Sequence, residues 1–498
     1  MSTLPKDDDR SALKRLKWVV GTPYFVQGSK DLTEVPILFF IKTGLGMGDA
    51  GGQFFDSLKG IGWMLKPIWG VVSDHVRIFG YRRKAWYVLM AMLGVLFWMA
   101  AAVLAFIGIK VPVVYLIVFN LVFGTYAFVD VVCDAIMVVE GRRLKRVGAF
   151  VGLQWTVLSI ANAASTLLGG WMQDWVDREV IGVETIFALA GIFPLLTVFV
   201  GIRNIVEERH TPKELGTSTV HNSIGVADVL AFVRTTPRKL NEIRKNNHTI
   251  WLLLIFLFFW KFSPSVGYIE RSYLIDEREF SPKSFAIIFS IGGITFLVSV
   301  LAYRWMVKRF TNIQWHQYLY AMVAIGALSF PISFFLYLDP EHGWWRYVYF
   351  TLPDAINPFP DWNRYEWFRL ISGTVLYFAH IPAFMIPLTI NAHTVKIAYA
   401  GLGYALLTAF SNATNILEGV VGAGLYKLFS GENFVWMIDA FQGSFLDIAK
   451  AQSPRIAILE IFVYISLAFT LLTLPFIRML RTELRKNNVV IDLGAKID

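Results

Sequence analysis

Apolar runs of helix-spanning length recur along this 498-residue chain almost from end to end. About 20 mostly apolar residues cross a bilayer core as one helix. Inside that core each backbone N–H and C=O must be satisfied within the segment, so such runs specify helices. Twelve runs are read, at about 18–41, 52–75, 83–109, 111–140, 147–172, 181–203, 247–270, 283–307, 315–338, 367–390, 397–427 and 455–480. The expected fold is an all-α membrane protein with twelve transmembrane helices. Composition agrees: 17% of residues are charged, where a soluble domain carries about 25%, and mean hydropathy is +0.52. Soluble enzyme, disordered chain, collagen and disulfide scaffold are excluded, and the single cysteine, Cys133, can form no internal disulfide.

The basic residues set an expected orientation. With the N-terminus cytoplasmic, 30 of the 46 Lys and Arg fall on the cytoplasmic side and 12 on the outer side. Cytoplasmic loops carry such an excess, so the net charge of +9 reads as orientation rather than as a nucleic-acid footprint. The remaining four, Lys30, Lys59, Lys66 and Lys261, lie inside the runs. The expected layout is a cytoplasmic N-terminal segment (1–17), a six-helix half (18–203), a cytoplasmic linker (204–246), a second six-helix half (247–480) and a cytoplasmic tail (481–498). A surface helix is expected near Ser223–Val233, and no cleavable signal peptide is read at the polar start. Six spans, a polar linker and six spans is the layout of transporters built from two repeated halves. The Trp-, Tyr- and Pro-rich stretch Asp339–Trp367 reads as an interfacial aromatic belt.

Several motifs carry no chemistry. Gly46-Met47-Gly48-Asp49-Ala50-Gly51 matches G-x-G-x-x-G but follows a membrane run rather than a strand, so it reads as an outer turn. No Walker A sequence and no H-E-x-x-H is present. The sequons at Asn247 and Asn412 fall on the cytoplasmic side and inside a run, where neither is glycosylated.

The strongest signal joins the second and third runs: Lys66-Pro67-Ile68-Trp69-Gly70-Val71-Val72-Ser73-Asp74, then Ile78-Phe79-Gly80-Tyr81-Arg82-Arg83-Lys84. Gly70 permits close helix approach. Asp74 ends one helix and Arg82 and Arg83 begin the next, so a charge-assisted bond between them is expected to latch the cytoplasmic face. This segment resembles the cytoplasmic signature of the major facilitator superfamily. Its Asp74-to-Gly80 gap is three residues longer than usual, a form that resembles the folate–biopterin transporter family. Tyr24-Phe25-Val26-Gln27-Gly28, Asp130-Val131-Val132-Cys133-Asp134-Ala135 with Val139-Glu140, Gly152-Leu153-Gln154, and Trp260, Pro264 and Phe280-Ser281-Pro282 resemble further motifs of that family. One stretch departs from it: Ser29-Lys30-Asp31-Leu32-Thr33-Glu34 replaces small and apolar residues and an Arg, which puts the family's namesake substrate in question.

Ionisable groups inside a span cost at least ~2.5–3.5 kcal/mol each and persist when paired or when they line a pathway. Asp130 and Asp134 are four apart and share a helix face. Two neighbouring carboxylates favour holding a proton between them; static pairing with lysine is the alternative. Lys59 and Lys66, seven apart, are expected on one face of the second helix. Lys30 and Glu34, four apart, can pair with each other, leaving Asp31 to face elsewhere. Lys261 precedes an expected kink at Pro264, where it can hold an anion or snorkel to an interface. Trp155, beside Gln154, can stack a planar ring or simply pack.

The expected substrate and ion pathway therefore comprises Asp31, Glu34, Lys59, Lys66, Asp130, Asp134, Gln154, Trp155 and Lys261, with Gly70, Asp74, Arg82 and Arg83 as a cytoplasmic latch. No catalytic residue, metal site or cofactor is expected. The resemblance implies a secondary transporter of a folate, pterin or related organic anion, working by alternating access and coupled to a proton or other ion. It is expected to be a multi-pass protein of the cytoplasmic membrane, with both termini cytoplasmic. The alternatives are a permease for another anionic metabolite, of muropeptide or acyl-CoA type, or a transport-fold assembly or sensor protein. The eight scattered histidines argue against a membrane-embedded enzyme.

Overall fold

The computed structural model describes residues 9–144, 146–207, 248–310, 312–339, 344–347, 358–394, 400–431, 434–436, 453–488 and 491. The expected helix at Ser223–Val233 lies outside them. All regular structure among the described residues is helical, apart from an isolated bridge between Ile78 and Tyr81. Eight described helices are long and apolar enough to cross a membrane, and they fall on eight of the twelve expected spans. The expected spans at 18–41, 52–75, 247–270 and 397–427 are not among the eight, and three of those four are interrupted.

The first interruption follows α1 (Asp9–Ser29), where the chain tightens into a 3₁₀ turn at Lys30–Thr33 before α2 (Glu34–Phe39) and a π turn at Phe40–Gly44. The second expected span is three pieces, α3 (Asp49–Leu58), α4 (Ile61–Met64) and α5 (Lys66–His75). A break leaves backbone groups without helical partners. Here the Ile61 N–H donates to Asn120 Oδ1 at 3.2 Å, and Pro67, which has no N–H to satisfy, stands in the first turn of α5. The seventh expected span is unwound between α11 (His248–Lys261) and α12 (Gly267–Arg278), at the position of Pro264.

The chain forms two compact units. One comprises residues 1–36, 59–246 and 496–498; the other comprises 37–58 and 247–495. In the first, α1 packs along α8 (Val147–Asp177), α10 (Pro194–Asn204) and α7 (Pro112–Arg143), while α6 (Lys84–Phe106) packs on α7 and α9 (Val183–Ile192). Its core includes Val20, Tyr87, Val132 and Cys133, all buried. The α4 fragment meets α7 glycine to glycine, because a Cβ on Gly62 would stand 2.5 Å from Gly124 Cα. The close approach expected at Gly70 is not needed there, since its Cβ would meet Val131 at an ordinary 3.7 Å.

In the second unit, α14 (Trp315–Ser333) packs on α15 (Arg364–Thr394), as does α13 (Pro282–Arg309), and α11 packs on α18 (Thr473–Lys486). Leu253, Phe256, Leu319, Ile386 and Leu480 fill its core. The outlying segment Ile37–Leu58 belongs to this unit, with α3 packed on α12 and on α16 (Ala400–Phe429). Large apolar residues such as Leu96, Phe106, Ile117, Phe199 and Leu301 stand more than half exposed, an apolar surface that suits lipid rather than water.

Candidate functional site

In the first unit, α7 carries two acids that neighbouring helices answer. Asp130, its side chain 4% exposed, pairs with Lys66 Nζ at 2.6 Å. The break before α5 puts Lys66 at that helix's first residue, with its ammonium 4.7 Å from the centre of the Trp63 ring. Desolvating both charges offsets most of their attraction, so such a pair is weak evidence of stability but costly to break from one side. A pocket of about 20 Å³ beside Asp130, bordered by Gln27, Thr125 and Tyr126, has room for about one water molecule. One turn on, Asp134 Oδ1 accepts from Tyr24 Oη at 3.0 Å and from Gln154 Nε2 at 2.8 Å. Three helices, α1, α7 and α8, thus converge on one carboxylate.

A second cluster lies where α1 ends. Lys30 Nζ bonds Asp31 Oδ1, and Asn162 Nδ2 of α8 bonds Asp31 Oδ2. The approach depends on Gly28, where a Cβ would stand 2.5 Å from Leu158 O and 2.9 Å from Asn162 N. The helical spacing that would join Lys30 to Glu34 is not kept. At three residues per turn, a 3₁₀ turn moves the residue four ahead off that face, and Lys30 pairs with its neighbour instead. Glu34 opens α2 and is half-buried.

Other expected residues separate. Lys59 stands in the turn between α3 and α4, so it and Lys66 do not share one helix face; the glycine-flanked break removes the common register. Gln154 is buried, whereas Trp155, about 100° further round α8, is 37% exposed. Of the expected latch, the Asp74 side chain lies outside the described residues. At the other end, the Glu207 carboxylate accepts the backbone N–H groups of Arg82 (2.7 Å), Arg83 (3.1 Å) and Lys84 (2.7 Å), and Arg83 Nη1 donates to Ala135 O at 3.2 Å.

In the second unit, Lys261 ends α11 and lies within electrostatic reach of Glu418 and His380. The break that follows is closed by α16: Ser265 N–H donates to Glu418 O at 2.9 Å, and a Cβ on Gly422 would collide with Ser265 O. A charged network that sequence reasoning missed holds segment 37–58. Lys42 binds Asp276 at 2.7 Å, and Arg455 binds Asp49, Asp276 and Glu277 at 3.0, 3.1 and 3.5 Å. Arg271 binds Asp56 at 2.8 Å, and Tyr426 Oη donates to Asp49 at 3.0 Å. Partners 179 to 406 positions apart leave no trace in local spacing. Asn162, also missed, had a local signal: a carboxamide in an apolar run.

The BT1 family model matches residues 27–330. A folate-biopterin transporter of Synechocystis is 26% identical over 459 residues, 92% of this chain and 80% of that protein. A probable folate-biopterin transporter of Arabidopsis thaliana is 28% identical over 36% of each chain. Folate transporter 1 of Plasmodium falciparum is 23% identical over 56% of this chain and 50% of its own length. Among solved structures, the POT family transporter PepTSo superposes with a TM-score of 0.64 at 11% identity, covering 94% of this chain and 99% of that one. The nucleoside transporter NupG gives 0.58 at 14%, with the same coverage. These likenesses show a fold of the major facilitator type. A family match over more than half the chain, on that fold and with these apolar helices, makes this an integral membrane transport protein that belongs to the BT1 family.

Proposed function

We propose that this protein moves a folate, pterin or related planar organic anion by alternating access, coupled to a proton. The twelve spans would form two six-helix halves, 18–203 and 247–480, with both termini cytoplasmic and the protein in the cytoplasmic membrane. The observation that carries the reading is the Lys66–Asp130 pair beside Asp134, a charged cluster held inside apolar helices. Charges persist there when they serve a pathway. A proton on Asp130 would release Lys66 for a substrate carboxylate, and the Trp63 ring under that ammonium offers a face for a planar ring. Proton and anion then enter together, because each takes one member of the pair. Asp31, Glu34, Asp134, Gln154 and Lys59 in the first unit, and Lys261 in the second, would extend the pathway, with Trp155 as a further stacking surface. Gly70, Asp74, Arg82 and Arg83 keep the role of a cytoplasmic latch. The names of the relatives support the substrate class.

The test is uptake into proteoliposomes of labelled folates, pterins and unrelated organic anions, with and without an inward-acid pH gradient. Accumulation of a folate or pterin only under the gradient is expected. Uptake unchanged by the gradient would remove the proton, and uptake of none of the panel would remove the substrate class.

A further inference from the structure

At one end of the first unit, away from Lys66 and Asp130, a cavity of about 540 Å³ opens beside Glu207. Four arginines, Arg15, Arg82, Arg83 and Arg143, border it against two glutamates, Glu140 and Glu207. Both carboxylates are already engaged. Glu207 accepts three backbone N–H groups at the start of α6, and Glu140 Oε2 takes Arg143 Nε at 2.9 Å. The cavity therefore keeps an excess of positive charge, presented as guanidinium groups that match phosphate oxygens two at a time. The rest of its wall is apolar: Leu16 and Val19 of α1, Ile136 and Val139 of α7, and Val206. Val139 and Val206 are 52% and 60% exposed. A small hydrophilic anion would leave that wall wet, whereas a phosphate joined to hydrocarbon satisfies both surfaces. The basic-residue asymmetry reads this end as cytoplasmic, and anionic lipids concentrate in that leaflet.

We propose that this cavity binds a phosphate-bearing anion, supplied as the headgroup of an anionic phospholipid with its first methylenes against Leu16 and Val139. The site is independent of the transport pathway. The probe is full-length protein stripped of lipid in neutral detergent and titrated with phosphatidylglycerol, phosphatidylcholine or inorganic phosphate. The reporter is Val139→Cys in a Cys133→Ser background, read as its rate of reaction with a maleimide.

Phosphatidylglycerol at roughly ten times its Kd is expected to slow labelling about tenfold, because about a tenth of sites then stand open. Phosphatidylcholine is expected to leave the rate unchanged. Adding Arg15→Gln and Arg143→Gln should abolish the protection and the phosphatidylglycerol retained in native mass spectrometry. Arg15→Lys with Arg143→Lys should keep part of it, since charge remains without the bidentate fork. Equal protection by the two lipids would overturn the proposal, as would protection that survives the glutamine pair. Inorganic phosphate protecting as well as phosphatidylglycerol would assign the cavity to a free anion and overturn the lipid. The lipid comparison on the reporter protein needs no arginine change, so a misfolded variant does not remove the test.

Discussion

Removing the two members of the Lys66–Asp130 pair should have unequal costs. Lys66→Met leaves a carboxylate whose side chain is 4% exposed without its ammonium, and stranding one partner of a buried pair costs about 3–5 kcal/mol. Asp130→Asn leaves the ammonium instead. The Lys66 side chain is 27% exposed and rests over Trp63, so it can lean to water; the lost charge-assisted bond is then worth about 1.5–3 kcal/mol. The double variant carries no buried charge at this position and should return to within about 1–2 kcal/mol of the parent, because neutral replacement of a buried pair is often tolerated. For a cooperative unit of 150–250 residues each kcal/mol moves Tm by roughly 2–4 °C. Lys66→Met should therefore lower Tm by about 6–20 °C, and adding Asp130→Asn should recover much of it. Thermal unfolding in detergent, followed by tryptophan fluorescence, reads this cycle. Single effects that add to within about 0.5 kcal/mol would show that the pair is not coupled. Uptake separates structure from transport. A double variant that regains both stability and gradient-driven uptake would reduce the pair to scaffold and end its assignment to the pathway.

Arg455→Gln removes contacts to Asp49, Asp276 and Glu277, whose side chains are 22%, 41% and 34% exposed, so its cost is about 1–2 kcal/mol in total. That should raise the thiol labelling of Ser57→Cys, in a Cys133→Ser background, about 5- to 30-fold by loosening segment 37–58; unchanged labelling would mean that Arg455 does not hold the segment. Burial pushes Asp276 up, but Lys42 and Arg455 more than offset this and hold its carboxyl below the ordinary range. Its contribution is then complete above that ordinary range, about pH 4, and is lost only as pH falls through the depressed value, so Ser57→Cys labelling should stay flat from neutrality down to about pH 4. Gly28→Ala forces a Cβ to 2.5 Å from Leu158 O; overpacking of about 1–3 kcal/mol should lower Tm and reduce uptake, and an unchanged Tm would disprove tight α1–α8 contact. Orientation is read by an impermeant thiol reagent in the same background: Lys110→Cys should label in intact cells and Asn488→Cys only after permeabilisation, and the reverse pattern would invert the topology.

The parts of the fold legible in the sequence were those fixed by single-helix composition. Runs such as 83–109 and 283–307 are apolar throughout, so length and hydropathy alone place them, and the structure has helices there at Lys84–Phe106 and Pro282–Arg309. Asp130 and Asp134 were legible because four-residue spacing on an uninterrupted helix fixes a shared face. Interruptions were not. The 3₁₀ turn at Lys30–Thr33 and the break at Lys59–Gly60 depend on partners from other helices, Asn162 and Asn120, that close distance brings to them. Each interruption resets the angular register, which is why the Lys30–Glu34 pair and the Lys59–Lys66 face both failed. Glycines 44 to 48 and 60 to 62 are the signal that might have warned of the second break, since glycine is the residue that weakens a helix interior most cheaply.

The spans that fall outside the eight apolar ones are those expected at 18–41, 52–75, 247–270 and 397–427, and they hold Lys30, Asp31, Glu34, Lys59, Lys66, Lys261 and Glu418. That coincidence has a physical cause. A charge in a lipid-facing helix is penalised along with every backbone group that a break exposes. A helix that faces protein or water escapes both penalties, so charges and breaks accumulate on the same segments. Hydropathy thus fails most where the pathway lies. A short span with internal charge and glycine is better evidence of a lining helix than of a wrongly assigned one. By this reasoning, neutralising Lys59 or Lys66 should raise the mean hydropathy of its segment yet impair uptake, whereas the same gain in an already apolar span such as 283–307 should change uptake little.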